Sequence, residues 1–197
     1  MPVLVSVPHY GTQPLPYITR DHYSEPWFET FAYGFADTFV GDLYGDLHEH
    51  GATVLATPFS RMFVDVNRRR DDFEHHDGEV RSRRGVVRTH TMREAPIFRQ
   101  PLGLADLEQR LCALYDPYYA TLDRLLAEIQ EHFGHALQLE VNASLLMTTG
   151  RDEFIAQVSR GEIPEKSEAN IARVRACLRE VLDALPAVLA TVCGSSR

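Results

Sequence analysis

The chain has 197 residues, 44% hydrophobic and 24% charged, and carries a formal net charge of −8. That length builds one domain with a substantial core, and residues 1–197 are expected to form it. The acidic balance excludes broad nucleic-acid affinity. The 3 cysteines lie far apart at Cys112, Cys177 and Cys193, which excludes a disulfide framework and a Cys-x-x-Cys zinc ribbon. The apolar start is too short for a signal peptide, and no stretch approaches membrane-spanning length, so a cytoplasmic protein is expected.

Residues 2–7 form an apolar run of β-formers that ends in Pro8-His9-Tyr10-Gly11, and they read as a buried strand. A loop rich in Pro and aromatics follows over 8–33. A helix is predicted from about Asp37, with Phe39, Val40, Leu43, Tyr44 and Leu47 on one face and Gly51 as its stop. Two short strands are predicted at 52–57 and 61–66, separated by Pro58. The charged stretch 68–85 reads as a loop long enough to suspect a function, and 85–91 as a short strand. From Leu104 a long helical pattern runs to Gly134, and Pro117 should split or kink it. Residues 135–142 alternate apolar and polar as a strand does. A polar loop over 148–166 and a last amphipathic helix over 168–190 complete the pattern. Strands alternating with helices predict a layered α/β fold.

Three features stand at strand ends or on strands, where α/β proteins carry chemistry. His9 follows the first strand; the bland reading is a surface histidine at a turn. Asn67 and Arg68 stand at the tip of the 61–66 segment, where a guanidinium fork matches a carboxylate; the bland reading is a solvated arginine. Glu140 interrupts an apolar strand, either because that face is exposed or because a carboxylate is needed there. Asp37 by default caps the helix it opens.

In order along the chain, "LVSVPHYGT", "DTFVGDLY", "GATVLATPFSRMFVDVNR", "GVVRTHT", "ALYDPYYATLDRLL" and "HALQLEVN" resemble the motifs of the N-formylglutamate amidohydrolase family. The resemblance covers nearly the whole chain. It implies a three-layer αβα fold with a mixed sheet, similar to zinc carboxypeptidases and aspartoacylases (a phosphorylase/hydrolase-like fold), here with a reduced sheet. It implies a zinc or other divalent metal, with His9 as first ligand, Asp37 as carboxylate ligand, Asn67 and Arg68 on the substrate carboxylate, and Glu140 as general base. The reaction implied is hydrolysis of an N-acyl amino acid such as N-formylglutamate, a small-molecule substrate with no nucleic-acid or membrane partner.

The chain also departs from that pattern. A central Asp-x-His-Ser strand is missing, "PYH" is Pro117-Tyr118-Tyr119, and Asn142 is followed by Ala143 rather than Arg. The missing histidine leaves the third metal position to His135, with His90 and the pair His75-His76 as other candidates. The alternative is a catalytically impaired member that binds an acidic small molecule or serves a structural role. A reduced sheet leaves an open edge, for which a homodimer is one cover.

Overall fold

The structure is a computed structural model and describes residues 1–37, 40, 44 and 46–140. The loop expected over 148–166, the helix expected over 168–190, and Asn142 and Ala143 lie outside the described residues.

The central sheet has three parallel strands in the order β2-β1-β6, where β1 is Val3–Val7, β2 Thr53–Ala56 and β6 Leu137–Glu140. All five residues of β1 are buried, because the strand has a neighbour on each side and packing on both faces. Val3, Val5 and Val7 join a cluster with Val40, Tyr44 and Leu47. Leu4, on the other face, packs with Leu122 and Ile129. Helical residues thus cover both faces, the reason a parallel strand reads as a continuous apolar run. Each such fully buried aliphatic side chain stabilises the fold by roughly 1.5–3 kcal/mol.

A separate antiparallel sheet, in the order β3-β4-β5, joins His75–His76, Glu79–Val80 and Leu102–Gly103. The described strands therefore form one parallel and one antiparallel sheet rather than a single mixed one. The charged loop 68–85 folds into part of this small sheet.

Several expected elements take another form. Residues 61–66 and 85–91 are not strands; they run beside each other, tied by Asp65 N–H to the Val86 carbonyl at 2.7 Å and Arg88 N–H to the Met62 carbonyl at 3.1 Å. The apolar alternation there serves core clusters from turns, with Met62 and Phe63 in one and Val64 and Val66 in another. The loop 8–33 holds short 3₁₀ turns and leads into α1, Phe31–Gly34. The long helical pattern changes form just before Pro117. Helix α2, Leu104–Arg110, passes through a widened π-turn, Leu111–Tyr115, into α3, Asp116–Phe133. Asp116 N–H reaches back to the Leu111 carbonyl, and this wider turn accommodates the ring of Pro117 in the first turn of α3, where its missing N–H is harmless. Gly134 ends the helix at φ 78°, with its N–H on the Gln130 carbonyl at 2.8 Å.

Candidate active site

Loops 8–11, 36–37 and 60–68 meet beyond the C-terminal end of β1. Gly11 permits the meeting: a Cβ there would lie 2.4 Å from the carbonyl oxygen of Phe59, so no larger residue fits. The Asp37 N–H donates to the His9 carbonyl at 2.7 Å, which locks these two residues side by side.

His9 is 6% exposed and Asp65 1% exposed. His9 Nε2 donates to Asp65 Oδ1 at 2.7 Å, and Asp65 Oδ1 also accepts the Asn67 backbone N–H at 3.0 Å. Arg61 donates from NH1 to His9 Nδ1 at 3.0 Å. An arginine only donates, so in the neutral ring the proton sits on Nε2 and the lone pair on Nδ1. Asp37 Oδ2 stands 3.6 Å from the same Nδ1, and Arg61 NH2 3.8 Å from Asp37 Oδ1. Burial pulls the His9 pKa down, but Asp37 and then Asp65 pull it up further, and the net direction is up.

Arg68 Nε lies 3.9 Å from Asp65 Oδ2, and its side chain is half exposed. The loop that carries Asn67 and Arg68 is gripped from the helix behind it. The Tyr119 hydroxyl donates to the Val66 carbonyl at 2.9 Å, and the Tyr115 hydroxyl to the Arg68 carbonyl at 2.8 Å. Two residues on, Arg70 reaches Glu108 at 2.6 Å and Asp116 at 2.9 Å, bridging α2 to α3 across the π-turn. Where the sequence motif shows Tyr119 in place of histidine, the hydroxyl supplies a hydrogen-bond donor to the backbone of the Asn67–Arg68 loop.

Glu140 is the last described residue of β6, exposed and level with Ser6 of β1. It stands at the same end of the sheet as His9, which follows Ser6 by three residues beyond a turn at Pro8. Ser6 Oγ is 2.8 Å from the Tyr118 hydroxyl, whose pKa is raised by burial first and last by the charge of Glu140. His135 is placed elsewhere. Leu137 pairs with Val3, so His135 lies before the start of β1 while His9 lies after its end. The structure does not bring these two residues together. His75 and His76 are exposed on β3, and the buried His90 lines a different cavity with Arg81 and Arg99. Among the described residues no group of three His, Cys, Asp or Glu forms a metal-binding cluster.

Sequence reasoning passed over Asp65, Arg61 and Arg88. Asp65 had a readable signal, a carboxylate between Val64 and Val66 in an apolar run. Arg61 and Arg88 lie inside the matched stretches "GATVLATPFSRMFVDVNR" and "GVVRTHT", but an arginine next to a turn usually faces water, so neither stood out.

The N-formylglutamate amidohydrolase family model matches residues 1–188. The chain belongs to the N-formylglutamate amidohydrolase family. It is 31% identical over 139 residues to an N-formylglutamate deformylase of Pseudomonas putida, covering 70% of this chain and 49% of that protein. Against an N-formylglutamate deformylase of Pseudomonas aeruginosa the identity is 29%, over 70% of this chain and 50% of the other. The crystal structure of N-formylglutamate amidohydrolase from Ralstonia eutropha JMP134 superposes with a TM-score of 0.56 at 26% identity, covering 71% of this chain and 51% of that one. The chain thus spans about half the length of the relatives it matches. The α/β architecture is that of this family, and no described helix is long and apolar enough to cross a membrane.

Proposed function

We propose that the chain is a metal-dependent hydrolase that cleaves the amide bond of N-formylglutamate or a similar N-acyl amino acid. The observation that carries this reading is the Asp65–His9–Asp37 line. A carboxylate on the far nitrogen of a histidine fixes the tautomer and raises the basicity of the other nitrogen, the usual support of a metal-ligating imidazole. His9 Nδ1 and Asp37 Oδ2 are 3.6 Å apart, close to the roughly 3.3 Å between two ligands on one tetrahedral zinc. The donors present therefore fit part of a metal site. His9 Nδ1 and Asp37 would hold the ion, in place of the Arg61 guanidinium that donates to that nitrogen here. When bound, a divalent metal supplies Lewis acidity to the acyl carbonyl and acidifies water.

The remaining work falls to the chain's own side chains. Asn67 and Arg68 bind the substrate carboxylate, and this fixed end orients the acyl group toward His9. Glu140, at the same end of the sheet, takes a proton from the attacking water and returns it to the leaving amine. The fold proposed for the whole family unit is the three-layer, zinc-carboxypeptidase-like one.

The test is metal content by elemental analysis together with release of formate from N-formylglutamate. Near-stoichiometric zinc, lost in His9→Ala, and activity lost in Glu140→Gln with zinc retained are the expected results. A folded, zinc-loaded protein that hydrolyses no N-acyl amino acid sinks the reading. The lack of a three-donor cluster among the described residues favours one second reading, a member that binds an acidic small molecule without cleaving it. N-formylglutamate would then raise the melting temperature without being consumed, and Arg68→Ala would abolish the rise.

A further inference from the structure

Arg88 has no part in the chemistry above, yet it stands between the two halves of the site. Its backbone N–H is bonded to Met62, the neighbour of Arg61. Its guanidinium lies 4.5 Å over the ring of Phe35, two residues before Asp37. Its NH1 donates to the Arg83 carbonyl at 3.0 Å. That contact ties the guanidinium to the 83–84 turn; Arg83 and Arg84 themselves line a cavity of about 540 Å³ together with Arg68, Asp72, Glu74 and Ser82.

The side chain is half-buried, and its Nε is buried without a hydrogen-bond partner among the described residues. No described carboxylate lies within ion-pair distance of it. Other arginines nearby are matched: Arg83 by Glu94 at 2.6 Å, Arg70 by Glu108 and Asp116. Burial lowers the pKa of Arg88 most, and the charges of Arg61, Arg68 and Arg84 add to that against Asp65 alone. A partly desolvated cation among cations is destabilising unless an anion arrives to share it. The ring of Phe35 offsets some of this but neutralises no charge.

We propose that Arg88 binds a second carboxylate, the side-chain carboxylate of an acidic N-acyl amino acid whose α-carboxylate is held by Asn67 and Arg68. This rests on the function proposed above and names the residue that selects an acidic side chain. The planar fork of a guanidinium suits a carboxylate, and Phe35 fixes its plane.

The experiment compares N-formylglutamate with N-formylglutamine, nearly isosteric but uncharged, as ligands of the full chain by calorimetry and as substrates by kcat/KM. The wild type is expected to prefer the glutamate compound. In Arg88→Met that preference falls by about tenfold or more while binding of the glutamine compound is held, and Arg88→Lys restores part of it. Circular dichroism establishes that the variants are folded. An unchanged preference in Arg88→Met, or an equal loss for both compounds, overturns the proposal while the function stands. A wild type that neither binds nor cleaves either compound overturns the function and this proposal together. If Arg68→Met loses both compounds and Arg88→Met loses neither, the second carboxylate is read elsewhere.

Discussion

The two ends of the central parallel sheet are built from the same strands but differ in what they carry. At the C-terminal end, β1 delivers His9 to Asp65, Asp37 and Arg61, and β6 delivers Glu140. At the N-terminal end, Gly134 turns α3 into β6 and His135 precedes the first pairing residue, Leu137. Polar groups concentrate at one end because parallel strands all point the same way, and the loops leaving them meet there. The loops entering them only close the helix–strand connection. Two histidines flanking two paired strands are thus far apart for a topological reason.

This comparison is sharpened or broken by variants, the largest effect coming from the C-terminal end. Asp65→Ala removes the acceptor of both the His9 ring and the Asn67 backbone, leaving one buried and one partly buried donor unmet. It is expected to destabilise the fold by about 2–5 kcal/mol in urea melts, and a change under about 1 kcal/mol would show that the corner is not a structural keystone. Metal retention comes next. His9→Ala is expected to lose bound zinc and His135→Ala to keep it; the reverse pattern in elemental analysis would break the contrast between the ends. Tyr119→Phe deletes one donor to the loop of Asn67 and Arg68. It is expected to lower stability by about 0.5–1.5 kcal/mol and to raise KM for N-formylglutamate more than it lowers kcat. An unaltered KM would make the tyrosine a packing residue alone. The smallest effect belongs to His135→Ala, within about 0.5 kcal/mol in the same melts.

Much of the fold was legible in residue order. The apolar run Val3–Val7, the alternation of Leu137 and Leu139 with Gln138 and Glu140, and the long pattern ending at Gly134 all appear where periodicity places them. The segment 61–66 did not become a strand. Its apolar residues report burial, and burial does not distinguish a paired strand from a tightly packed turn. Pro117 shows its effect one step earlier in the chain: the regular α-helix gives way to a π-turn, Leu111–Tyr115, just before it.

Of the candidate site, His9 and Asp37 were named from the sequence, and the structure sets them beside each other. Asn67, Arg68 and Glu140 fall at the same end of the sheet. What the sequence determined by itself is the order of strand and helix, the family, and which residue types stand at the strand ends, because these depend on local pattern and on motifs read along the chain. Only the tertiary structure decided which groups meet. Asp65 reaches His9 across 56 positions, His135 is carried to the wrong end, and Arg88 is pressed among other arginines. Contacts of that kind depend on strand direction, register and burial, which no local stretch of residues encodes.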